Sequence, residues 1–115
     1  ERYLNFEFNS KGFMILHIGK DRHNRGALTD EYRKFLNVNA INEKDFWGIT
    51  FEIPFSVFCS IFDKENVFVK GYSFTANFYK CADKFKFPHY GMWNEVDVDH
   101  PDYHLSQFFG EIVLG

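Results

Sequence analysis

The chain has 115 residues and 45% hydrophobic content, which suffices for one domain of ordinary size over residues 1–115. Its formal net charge of −3, with no block of like charges, argues against a nucleic-acid partner, since such a partner calls for a basic face. No apolar run is long enough to cross a membrane as a helix, and the 21% aromatic share, mostly its 16 phenylalanines, leans the composition towards strands.

The first stretch, "YLNFEFNS", alternates. Leu4, Phe6 and Phe8 point one way, and Tyr3, Asn5, Glu7 and Asn9 the other, as in a half-buried strand. Ser10-Lys11-Gly12 supplies a turn and "FMILHIG" a second strand, so the pair predicts an antiparallel hairpin closed by Gly19. "KDRHNRGALTDEYRKFLNV" is polar, charged and long. It reads as an excursion between strands, with Thr29 capping a short helix through Leu36. "FWGITFEIP" resumes the alternation, with Trp47, Ile49, Phe51 and Ile53 on one face, and Pro54 ends it. "FSVFCSIF" has the spacing of a short helix. "YSFTANFYKC" reads as one strand with Phe74, Ala76 and Phe78 on a shared face. The stretch "FYKCADKFKFPHYGMWN", Phe78 to Asn94, begins with that alternation and then gives way to a loop, followed by the turn-rich "VDVDHPDYHLSQ" and a last strand, "FFGEIVLG". Cys59 and Cys81 are too few for a disulfide scaffold and read as thiols. Several alternating strands with short helical excursions predict an all-β fold, an antiparallel β-sandwich. Leu4, Phe6, Phe8, Phe51, Ile53, Phe74, Phe78 and Ile112 are its expected core.

The loop is crowded with groups a core does not need. Trp93, Tyr90, His89 and Asn94 together offer an aromatic face and planar polar groups. That pairing suits a sugar ring, whose C–H face stacks on an aromatic while its hydroxyl rim takes hydrogen bonds. The competing reading has Trp93 capping the edge of the sandwich. Arg22 and Arg25 in "DRHNR" could present guanidinium forks to hydroxyls or to a uronate carboxylate, or form a solvated charged turn. Trp47 fits the core by its face, and becomes a second sugar clamp if it is exposed at the strand end. Asp97, Asp99 and Asp102 form a dense carboxylate run that suits a hard cation such as calcium, without the spacing of an EF-hand; a polar loop is the plainer account. No nucleophile motif or phosphate loop occurs, and nothing in the sequence brings together two of the carboxylates Glu7, Glu52, Glu95 and Glu111, as glycosidase chemistry requires.

The order of these motifs carries a resemblance. "NFEFN", "KDRHNR", "FEIPF", Asn77-Phe78-Tyr79-Lys80-Cys81, Pro88-His89-Tyr90, Trp93, His104 and Phe108-Phe109-Gly110 run through nearly the whole chain. In that order and spacing they resemble the family 9-type carbohydrate-binding modules, in particular the family 9-like branch common in gut Bacteroidetes. The resemblance implies a β-sandwich that binds polysaccharide or oligosaccharide without catalysis, as an accessory domain. It also implies a sugar clamped between tryptophans, calcium supporting the fold, and an extracellular or periplasmic setting. Two departures stand out. Ser106-Gln107 occupies a place where the family usually has Pro-Glu, and relatives usually carry more sequence before "NFEFN". The second departure implies a copy lacking its N-terminal strands, whose open sheet edge would pair with a missing segment or a second copy of the chain. A structural or interaction domain without a sugar site is the alternative function, and a glycoside-processing enzyme the third.

Overall fold

The computed structural model describes residues 1–100 and 102–115, and Pro101, within the expected turn-rich segment, lies outside the described residues. The chain divides into two compact units, Glu1–Asn66 and Val67–Gly115. Every strand pairing in both is antiparallel, and the helices are short, so the fold class is all-β with helical excursions, as the alternation predicts.

In the first unit, β1 (Tyr3–Phe8), β2 (Met14–Gly19) and β3 (Arg25–Ala27) form a sheet in that order. The β1–β2 turn is built by Asn9, whose Oδ1 accepts the backbone N–H groups of Lys11 at 3.0 Å and Phe13 at 3.1 Å. Gly12, at φ +80°, takes the left-handed position that the turn needs. The expected excursion after Gly19 is a correction. Its first part is the turn of a second hairpin, with Gly19 opposite Arg25 and His17 opposite Ala27. Charge alone made this segment read as a detour, because three-residue strands are too short to show a period.

The helix at Thr29 is real but shorter than expected, with α1 at Thr29–Tyr32 followed by a 3₁₀ turn at Arg33–Phe35. Leu28, not Thr29, is the cap residue. The Thr29 hydroxyl instead accepts the N–H of Leu16 at 2.8 Å and donates to its carbonyl at 3.2 Å, tying the helix start to β2. A two-stranded hairpin follows, β4 (Asn39–Asn42) with β5 (Trp47–Thr50), and then α2 (Phe55–Phe62), which begins at Pro54 and ends at Asp63 in the left-handed region. Met14, Leu16, Tyr32, Leu36 and Val57 form the buried cluster, with Leu4, Phe6, Phe8 and Ile53 packed against it. Phe51 joins through its rings, 4.6 Å from Phe8 and 5.8 Å from Phe6 between centroids. The expected β1 residues thus face the core but stay half-buried, while Leu16 and Leu36 are the fully buried ones.

In the second unit, β6 (Ser73–Ala76) pairs with β9 (Gly110–Val113), and β7 (Tyr79–Ala82) with β8 (His89–Met92). A 3₁₀ turn at Ser106–Phe108 leads into β9. Phe74 and Ile112 are half-buried partners across β6–β9. Phe78 was expected in the core and is 58% exposed. The cause is Asn77, which ends β6 and restarts the chain as β7, so that "YSFTANFYKC" is two strands and the parity assumed for Phe78 does not hold.

Candidate functional site

The stretch from Phe78 to Asn94, expected to begin as a strand and give way to a loop, is a whole hairpin, with β7, its turn and the return strand β8. Tyr79 stands opposite Met92, Lys80 opposite Gly91, Cys81 opposite Tyr90 and Ala82 opposite His89. Alternation along β8 therefore puts Tyr90 and Met92 on one face and His89 and Gly91 on the other. The connecting residues, Asp83 to Pro88, are polar enough to hide a four-residue strand from sequence reasoning.

Trp93 follows directly. Its N–H donates to the Phe78 carbonyl at 2.9 Å, and its indole meets the Phe78 ring edge-on, at 5.7 Å between centroids and 62° between planes. The indole also lies against the backbone of Gly110. A Cβ at that glycine would stand 2.8 Å from Cζ3 and 2.9 Å from Cη2 of Trp93, closer than real contacts allow. The ring is thus held on two sides and still 54% exposed. Half of the residue's area thus remains open to solvent.

The Trp93 corner is tied by two asparagines. Asn77 Oδ1 accepts from the N–H of Phe78 and of Asn94, both at 2.9 Å. Its Nδ2 donates to the carbonyls of Asn94 at 2.9 Å and Phe108 at 3.3 Å. Asn94 adds a bond of its own from Nδ2 to the Phe108 carbonyl at 2.8 Å. Asn94 is therefore partly committed to structure. Asn77, not among the expected site residues, is the central tie, and the break it makes in the alternation of "TANFY" is the signal that could have found it.

On the opposite face of β8, Tyr90 and Met92 with Asp99, His100, Asp102 and Tyr103 border an open cleft of about 220 Å³. Tyr79 and Tyr103 stack at 4.1 Å with planes 9° apart, and Tyr90 meets Tyr103 edge-on at 6.5 Å. Burial pushes the phenols of Tyr79 and Tyr103 above their ordinary range; the Asn77 side chain opposes this at Tyr79, where Tyr103 and then Asp102 add to it, and Cys81 and then Tyr90 add to it at Tyr103. Asp102 also accepts the N–H of His104 at 3.0 Å. Among the described residues, no group of three or more His, Cys, Asp or Glu, Asp97, Asp99 and Asp102 included, is placed to hold a metal. His89 is exposed, its Nδ1 3.0 Å from the Phe87 carbonyl.

The remaining candidates belong to the first unit. Asp21 builds the turn that carries the two arginines. It accepts the N–H of His23 at 2.8 Å and of Asn24 at 2.9 Å, and the Asn24 side chain at 2.8 Å. These bonds, the Asn24 side chain first, hold its carboxyl below the usual value. Arg22 is exposed. Arg25 is half-buried, 3.6 Å from Glu7, with its Cγ where a side chain on Gly19 would go. Trp47 opens β5 at 40% exposure, so its expected core position gives way to an exposed strand end. Cys59 and Cys81 are thiols. No helix among the described residues is long and apolar enough to cross a membrane.

The family model described as carbohydrate-binding family 9 matches residues 1–114, and the chain belongs to that family. Among solved structures, it is similar to a protein of proposed carbohydrate-binding function from Bacteroides uniformis ATCC 8492. The two share 25% sequence identity at a TM-score of 0.77, over 99% of this chain and 55% of the other. The chain thus spans about half the length of that neighbour. The fold in common is an antiparallel β-sandwich, of the Bacteroidetes type that the motif order suggests. No curated protein matches the chain.

Proposed function

We propose that this chain is a non-catalytic carbohydrate-binding domain in which a sugar ring stacks on the indole of Trp93. The observation that carries the reading is that this ring is both 54% exposed and fixed in place, by Phe78 at its edge and Gly110 beneath it. A stacking platform ordered in advance loses little entropy when ligand arrives. The family supplies the ligand class, and the chemistry agrees, because an indole face suits the C–H side of a pyranose. His89 and Asn94 adjoin the platform in sequence and can read hydroxyls. Asn94 has one N–H committed to Phe108, and an amide offers a second donor and an acceptor. Tyr90 faces the cleft on the other side of β8, away from this platform.

Binding without catalysis is favoured by the occupations of the carboxylates. Glu111 is bonded to the Ser73 hydroxyl, and Glu7 accepts from Asn5 at 2.7 Å and pairs with Arg25. A glycosidase needs two carboxyls opposed across a bond, one of them a proton donor. The test is a glycan array probed with the wild type and with Trp93→Ala. Binding lost in the variant supports the reading. Binding unchanged by the substitution refutes the role of Trp93, and the absence of any glycan signal favours an interaction domain.

A further inference from the structure

The tip of the β7–β8 hairpin combines two features that conflict with ordinary solubility. Phe85 is 66% exposed and Phe87 74% exposed, although large apolar side chains gain by leaving water. They alternate with Lys84 and Lys86, and Lys80 reaches up from β7. Two ammonium groups sit over the rings: Lys80 Nζ lies 5.5 Å from the Phe85 centroid and Lys86 Nζ 5.4 Å from that of Phe87. Within a chain of net charge −3, the stretch from Lys80 to His89 holds three lysines against one carboxylate, Asp83. Its charge is therefore opposite in sign to that of the molecule as a whole.

We infer that this tip selects acidic polysaccharide, a chain of uronate residues, with Lys80, Lys84 and Lys86 meeting carboxylates and Phe85 and Phe87 meeting the sugar faces. The inference rests on the carbohydrate-binding reading and adds the substrate class. A hexuronate carries its carboxylate beside the C–H patch of its ring. The complement is an aromatic ring with an ammonium next to it, and the tip provides two such pairs. The cleft on the Tyr90 face has Asp99 and Asp102 in its wall and repels the same ligand, so an acidic chain belongs on the tip. An anionic membrane is also drawn to lysines and phenylalanines. It fits less well, because rings held under ammonium groups cannot sink into the acyl region without taking charge with them.

The test compares polygalacturonate with its methyl ester, which has the same backbone and no charge, by calorimetry on the wild type and on Lys80→Gln/Lys84→Gln/Lys86→Gln. Exposed ion pairs are each worth a small factor, so the acid should bind about tenfold tighter than the ester to the wild type. Screening should shrink that preference between about 0.02 M and about 0.5 M salt. In the triple variant the preference of acid over ester should vanish. Equal binding of acid and ester, or a preference that survives the triple substitution, overturns the inference and leaves carbohydrate binding intact. Failure to bind either polymer, or any neutral glycan on an array, removes both. Binding to phosphatidylglycerol vesicles in place of polygalacturonate overturns the inference in favour of lipid.

Discussion

Replacing Asn77 with alanine should destabilise the second unit more than its half-buried position suggests. The side chain uses its full capacity, with two bonds accepted at Oδ1 and two donated from Nδ2. A net hydrogen bond is worth about 0.5–1.5 kcal/mol, and four would sum to more than the true cost, because the freed backbone groups near the surface can bond to water instead. About 2–3 kcal/mol is the reasonable expectation. For a chain of this length that corresponds to a drop in Tm of roughly 6–15 °C. Two controls separate the asparagine tie from a general packing effect. Asn77→Asp keeps the shape and one acceptor but sets a carboxylate oxygen against the carbonyls of Asn94 and Phe108, so it should cost at least as much as Asn77→Ala. Asn94→Ala removes only the side-chain bond to Phe108 and should cost about 1 kcal/mol. Urea unfolding monitored by far-ultraviolet circular dichroism measures all three. If Asn77→Ala lies within about 0.5 kcal/mol of wild type, or costs no more than Asn94→Ala, the tie does not hold the Trp93 corner.

Gly110→Ala should displace the Trp93 indole, since the new Cβ would arrive 2.8 Å from Cζ3; a shifted tryptophan emission maximum and a loss of about 1–3 kcal/mol are expected. Thr29→Val removes both bonds between the hydroxyl and the backbone of Leu16, and should cost about 1–2 kcal/mol by chemical denaturation, with Thr29→Ser largely restoring it. Of the six tyrosines, Tyr79 and Tyr103 should titrate above the ordinary phenol value of 10.0 in a spectrophotometric titration of the folded protein. Both phenols are raised in the fold. Their neutral forms therefore support it fully below the unfolded value, and that support is lost as pH climbs through the raised ones.

Long alternating runs made much of the fold legible. Leu4, Phe6 and Phe8 declared β1, "FMILHIG" declared β2, and the spacing of Phe55, Phe58, Cys59 and Phe62 declared α2. What escaped were strands of three or four residues, too short to establish a period: β3, β4 and β8. The turn chemistry of Asp21 hid β3, and the lysines of Asp83–Pro88 hid β8. Phe78 was misplaced because one asparagine, by bonding to backbone from its side chain, ended a strand that composition would have continued. The aromatic and polar candidates of the site could be chosen because a sugar demands both kinds of group. Their arrangement could not, because the positions of Trp93 and Tyr90 depend on where β8 stops. Gly110 and Asn77 act through contacts distant in sequence, which alternation does not register.

The most direct measurement of the central claim follows the two indole N–H resonances of the chain, from Trp47 and Trp93, in a proton–nitrogen correlation spectrum. Trp47→Phe assigns them. Hexagalacturonate, xylohexaose and cellohexaose are then titrated separately, with calorimetry reporting whether each binds. Stacking on Trp93 predicts that its resonance moves along a saturating curve with the calorimetric Kd, and that Trp93→Ala weakens binding by about tenfold or more. If calorimetry registers a bound saccharide while the Trp93 resonance stays still, the sugar does not sit on this ring and the account is wrong.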